Sequence, residues 1–106
     1  MPYAEPLSGS NLTDALARLP AWRHEGATLV RTVEVGGFTA AIALVNAIAQ
    51  AAEAANHHPD ILVHDYKRVT FTLSTHAAGA VTQRDVDLAT EIDRLVDQAA
   101  ASIEGA

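Results

Sequence analysis

The chain has 106 residues, 49% of them apolar, a formal charge of -6 and no cysteine. Its length suits one domain with a modest core, and the absence of low-complexity tracts speaks against disorder. The seven Lys and Arg are scattered, which disfavours nucleic acid, and without cysteine there are no disulfides, no thiolate chemistry and no cysteine-based metal sites.

The opening "MPYAEPLSGS" has neither a charged n-region nor an apolar h-region, so it is not read as a signal peptide. Residues 1–9, with Pro2, Pro6 and Gly9, are expected to form a flexible arm, and residues 10–106 a single domain. A short helix is predicted from about Asn11 to Leu19, with Leu12, Ala15, Leu16 and Leu19 on one face, Ser10 as its cap and Pro20 as its stop. A hairpin follows: Trp22 starts one strand, Glu25-Gly26 marks the turn, and Leu29, Arg31, Val33 and Val35 line one side of the next.

Gly36-Gly37 ends that strand, and the period then becomes helical. Phe38, Ile42, Val45 and Ile48, with Ala41, Ala49 and Ala52, are expected to be the buried stripe. Asn46, Gln50 and Glu53 interrupt this apolar run, so no membrane span is expected; a soluble cytoplasmic protein is. The helix should end at Asn56, because Pro59 drives His58 away from helical angles. In "ILVHDYKRVTFTLSTH", Val69, Phe71, Leu73 and Thr75 alternate with Thr70, Thr72, Ser74 and His76 as a half-buried strand, and Asp65 marks a bend before it. After a turn at Gly79, Thr82 and Asp85 form a capping box, and Val86, Ala89, Ile92, Leu95 or Val96, Ala99 and Ile103 the buried stripe of a last helix. The order α-β-β-α-β-β-α predicts an α+β fold, a four-stranded antiparallel sheet with three helices packed on one face.

Histidine carries the chemistry in this sequence. His57 and His58 stand where the long helix meets a strand, and His76 stands at the far end of a strand that can run beside them. Imidazoles with ordinary pKa near ~6.5 give and take protons at neutral pH, and Glu53 and Asp85 are carboxylates able to orient them. Each residue also has a structural reading. The pair can complement a helix end, His76 can be an ordinary strand-end residue, Thr82 and Asp85 can be only a cap, and Glu53 a solvated face. His24 and His64 are given no function. A zinc site is not expected, since adjacent histidines rarely face one ion and no H-x-x-x-H or H-x-H spacing occurs. Neither a Gly-x-Ser-x-Gly elbow nor a phosphate-binding Gly-rich loop is present.

The string "EAANHHPDI", followed in order by "LSTH", "AG" and "RD", resembles the pterin-4a-carbinolamine dehydratase family, as do Trp22, Phe38 and the Thr82-to-Ile92 pattern "T-x-x-D-x-x-L-A-x-x-I". The resemblance runs over essentially the whole chain after about residue 10. It implies an antiparallel four-stranded sheet with helices on one face, assembled as a homodimer or homotetramer. It also implies removal of water from 4a-hydroxytetrahydropterin to give quinonoid dihydropterin, with no metal or organic cofactor, in the recycling of a hydroxylase's pterin. His57, His58 and His76 would be catalytic, with His57 and His76 moving most of the protons and His58 holding the ring or hydroxyl. Glu53 and Asp85 would support them; Ser74, Thr75 and Ala77 would contact the pterin, and Asn56 and Pro59 would shape the pocket. Ile61 stands where many members carry an aromatic residue. Animal relatives also bind the helical dimerisation segment of a transcription factor, so a non-catalytic dimerisation partner is the competing expectation.

Overall fold

The computed structural model describes residues 5–105, with side chains described through residue 100. Its elements are α1 (Gly9–Ala17), β1 (Arg23–Glu25), β2 (Thr28–Glu34), α2 (Phe38–Ala55), β3 (Asp60–His64), β4 (Arg68–Leu73) and α3 (Gln83–Gly105). This is the expected α-β-β-α-β-β-α order. The strands form one sheet in the order β1-β2-β4-β3 with every neighbouring pair antiparallel. Because α2 carries the chain from β2 to the far edge, β3 is an edge strand and β4 returns between it and β2.

The period-2 pattern divides the sheet into two faces. Leu29 and Val33 of β2 pair with Leu73 and Val69 of β4, and with Phe71 they are buried against the helices. Arg31 shares that face. Its guanidinium pairs with Asp93 of α3, whose Oδ1 also accepts the indole N–H of Trp22 at 2.8 Å, so one carboxylate ties the hairpin to α3. The opposite face is lined by hydroxyls, with Thr28 and Thr32 on β2 and Thr70 and Thr72 on β4.

Two expected details change. α1 begins at Gly9 with Ser8 at its cap position and no capping side-chain bond, so Ser10 lies inside the helix rather than before it. In α2 the buried residues are Ala41, Leu44, Ile48 and Ala52, spaced three and four apart, while Phe38 and Ile42 are 57% and 38% exposed. The helix is apolar nearly all round, so composition allowed two stripes. The one with small residues at its ends packs inward, and Phe38 with Ile42, one turn apart, forms a second stripe facing out. In α3, Val86, Leu88, Ala89, Ile92 and Val96 are buried; the expected Ile103 lies outside the described side chains. Of the expected N-terminal arm, residues 1–4 lie outside the described residues; Pro6 pairs with Thr82, and Leu7 donates its N–H to the Val81 carbonyl at 2.9 Å.

Candidate active site

The junction "NHHP" is built by its asparagine. Asn56 sits in the left-handed region at φ 50° and ψ 43°. Its N–H donates to the Glu53 carbonyl and that of His57 donates to the Ala52 carbonyl, both at 3.1 Å. This pairing closes a helix on a left-handed residue and satisfies its last carbonyls. Asn tolerates the conformation better than residues other than Gly. The Asn56 carbonyl accepts from Arg84 Nη2 at 2.7 Å, fixing the helix end to the start of α3. From there the chain runs extended through Pro59 into β3, so His57 and His58 leave it in opposite directions.

His57 turns inward, leaving 11% of its side chain exposed, with Nε2 2.6 Å from Asp85 Oδ1. Asp85 is fully buried. Its Oδ2 accepts from the Thr75 hydroxyl at 2.8 Å and from the Thr82 N–H at 2.9 Å. Thr82 Oγ1 in turn accepts the Arg84 N–H at 3.2 Å and lies 2.7 Å from Thr75 Oγ1. The capping box exists, then, and uses only one oxygen of Asp85; the other is committed to His57. As a carboxylate only accepts, His57 carries a proton on Nε2, which in the neutral ring makes Nδ1 the basic nitrogen.

His58 and His76 meet elsewhere. Together with Thr28, Asp60, Thr72 and Ser74 they line a cavity of about 110 Å³ on the hydroxyl-bearing side of the sheet. His58 Nε2 lies 3.4 Å from Glu53 Oε1. Strand alternation accounts for the division: Ser74 and His76 face this cavity, while Thr75 between them faces Asp85. The structure therefore joins His58, His76 and Ser74 in one cluster and His57, Thr75 and Asp85 in another, on the two sides of one strand end. Ala77 is exposed in the following turn, and Pro59 is half-buried at the start of β3. Thr28, Asp60 and Thr72 were not anticipated as lining residues. Thr72 shares the face of Ser74 and was readable from the period, but Thr28 and Asp60 arrive through sheet register. Among the described residues, no three His, Asp or Glu side chains are grouped to hold a metal ion.

The structure is thus an α+β domain that holds a carboxylate-bound imidazole and a two-histidine cavity at one strand end. Residues 5–95 match the family described as pterin 4 alpha carbinolamine dehydratase, and the chain belongs to that family. A relative from Nocardia farcinica bearing the family's name is 53% identical over 91 residues, covering 86% of this chain and 95% of its own. Another, from Acidobacterium capsulatum, is 44% identical over 90 residues, with coverages of 85% and 97%. The crystal structure of a transcriptional coactivator/pterin dehydratase from Brucella melitensis superposes with a TM-score of 0.81 at 28% identity, covering 87% of this chain and 99% of that one. A pterin dehydratase-like RuBisCO assembly factor of the alpha-carboxysome shares the fold, with a TM-score of 0.61 at 23% identity over 72% of this chain and 89% of that one.

Proposed function

We propose that the chain is a soluble, cytoplasmic hydro-lyase that dehydrates 4a-hydroxytetrahydropterin to quinonoid dihydropterin by histidine acid–base catalysis. In the reaction the C4a–O bond breaks and the hydroxyl leaves as water with a proton from an acid. The N5 proton passes to a base, and its bonding pair forms the C4a=N5 double bond. His57 suits the base, because Asp85 holds its Nε2 proton and leaves the Nδ1 lone pair. His76 suits the acid, and His58, steadied by Glu53, suits the departing hydroxyl. Thr75 and Asp85 position His57. Asn56 and Pro59 set the directions of the two imidazoles, and Ser74 and Ala77 flank His76 where the pterin would lie. Paired proton transfers of this kind contribute about 10²–10⁴-fold each.

The observation that carries this reading is the convergence of His58 and His76 on one small polar cavity, with His57 held by a buried carboxylate at the same strand end. Its test is the loss of the 4a-hydroxy chromophore in stopped flow, with and without the purified protein. Acceleration with no added metal supports the reading; an unchanged spontaneous rate removes it.

A second surface supports assembly into a homodimer or homotetramer. α2 has a mean hydropathy of 1.4, yet only 22% of it is buried within the chain. Phe38 and Ile42 stand exposed along it, and a groove of about 550 Å³ runs between α2 and α3 over Ala47, Ala51 and Leu95. Large apolar side chains left exposed on such a helix suit a contact surface. It also sustains the competing reading of a dimerisation partner, echoed by the coactivator name of the Brucella protein. That reading gives the Asp85–His57 pair no task.

A further inference from the structure

We propose that Thr82 is a positioning residue of the dehydration site: through its hydroxyl on Thr75, and through Thr75 on Asp85, it fixes the carboxylate that holds His57. The proposal rests on the dehydratase reading and extends the site by one buried hydroxyl.

The turn that carries His76 brings the two threonines together. Thr75 donates its N–H to the Ala80 carbonyl at 3.2 Å, and its own carbonyl accepts from Ala78 and Gly79 at 3.0 and 2.9 Å. Residues 75–80 thus close on themselves, and Thr82 follows with its Oγ1 2.7 Å from Thr75 Oγ1. Among the described residues, Thr75, Thr82 and Asp85 make up the buried polar side chains, at 4%, 0% and 0% exposure. At that depth their donors and acceptors are satisfied by one another.

The direction of the protons follows. A carboxylate only accepts, so Thr75 donates its one hydroxyl proton to Asp85 Oδ2. Thr75 Oγ1 is then the acceptor for Thr82, whose hydroxyl proton points to it. Thr82 also donates its N–H to the same Oδ2 at 2.9 Å. Thr82 therefore reaches Oδ2 twice, once directly and once through Thr75, in a closed ring of bonds. With Oδ2 held in that ring the carboxyl group does not turn, and Oδ1 is presented to His57 Nε2.

A helix cap alone does not need this ring. Capping uses the lone pair of Thr82 Oγ1 that accepts the Arg84 N–H at 3.2 Å, and the Asp85 oxygen that accepts the Thr82 N–H. The hydroxyl proton of Thr82 has no part in it, and here that proton is committed to Thr75. Without it, Thr75 Oγ1 keeps an unsatisfied lone pair and its hydroxyl is free to turn from Asp85. The carboxylate then loses one of its two anchors, and the Nε2 proton of His57 loses its fixed acceptor.

The test combines dehydration kinetics with ¹⁵N NMR of the imidazoles near pH ~8, above the ordinary imidazole range. It compares the native protein with Thr82→Val, Thr82→Ser, Thr75→Val and the double variant Thr82→Val/Thr75→Val. Far-UV circular dichroism confirms folding, and Thr82→Ala takes the place of Thr82→Val should Val prevent it. The His57 resonances are expected to show one tautomer, with the proton on Nε2, in the native protein and Thr82→Ser, and a mixture in Thr82→Val. In Thr82→Val kcat is expected to fall about fivefold with KM unchanged, as the loss of one net hydrogen bond allows, and Thr82→Ser restores it. Because Thr82 acts through Thr75, the double variant loses no more than Thr75→Val alone. A Thr82→Val protein that unfolds at lower urea yet keeps the native kcat and a single His57 tautomer overturns the proposal. So does a loss that adds in full to that of Thr75→Val. Failure of the native protein to accelerate dehydration removes the dehydratase reading, and the His57 tautomer still decides whether Thr82 positions the ring.

Discussion

Asp85 joins three elements through one side chain: 2.6 Å from His57 at the end of α2, 2.8 Å from Thr75 at the end of β4, and 2.9 Å from the Thr82 N–H at the start of α3. All three partners donate. In Asp85→Asn one of them must face an amide N–H₂ instead of an oxygen. A buried mismatch of this kind costs about 1–3 kcal/mol, to be read as a lower midpoint in urea. Where the amide nitrogen meets His57, the ring takes the other tautomer and loses its basic Nδ1. The dehydration rate is expected to fall at least tenfold even at temperatures where the variant is fully folded.

The left-handed turn at Asn56 is the device that separates His57 from His58. Asn56→Ala places a Cβ-bearing residue without a compensating amide in that region and should lose about 1 kcal/mol. Asn56→Gly should match or exceed the native stability and keep the dehydration rate within about twofold. Equilibrium unfolding of the two variants, side by side, distinguishes a conformational role from a contact made by the side chain.

Asp93 accepts hydrogen bonds from both Trp22 and Arg31 in partly buried positions. Asp93→Ala strands the indole N–H and the guanidinium together, and a loss of about 2 kcal/mol is expected. As Trp22 is the single tryptophan, its emission reports directly on this contact and should shift in the folded variant. Dehydration should be little changed, since Asp93 lies in neither histidine cluster.

The exposed stripe of α2 predicts the assembly. Phe38→Glu with Ile42→Glu places charges on the apolar surface, and sedimentation velocity should show the native oligomer replaced by monomer. A native protein that already sediments as a monomer at high micromolar concentration would refute the assembly proposal.

Much of this molecule was readable from its sequence. Element order, the antiparallel sheet and the inward face of β4 follow from the change of period at Gly36-Gly37 and from the strict alternation of Val69, Phe71, Leu73 and Thr75. The end of α2 at Asn56 was visible through Pro59. The inner stripe of α2 was not, because an alanine-rich helix offers more than one apolar face and only the sheet chooses between them. The candidate site residues can be named from the sequence, but their arrangement cannot. Adjacent residues in extended chain point apart, which was plain from His58-Pro59. That His58 would share a cavity with His76 while His57 turned to Asp85 depends on sheet register and on where α3 begins. Thr28 and Asp60 enter the lining for the same non-local reason, and no spacing in the sequence marks them.

The most direct measurement is the dehydration rate of His57→Ala, His58→Ala and His76→Ala beside the native protein, in stopped flow at neutral pH. Losses of about 10²–10⁴-fold in the His57 and His76 variants, and a smaller one for His58, are expected while each remains folded. Three variants that all turn over at the native rate would contradict the assignment of the chemistry to these imidazoles.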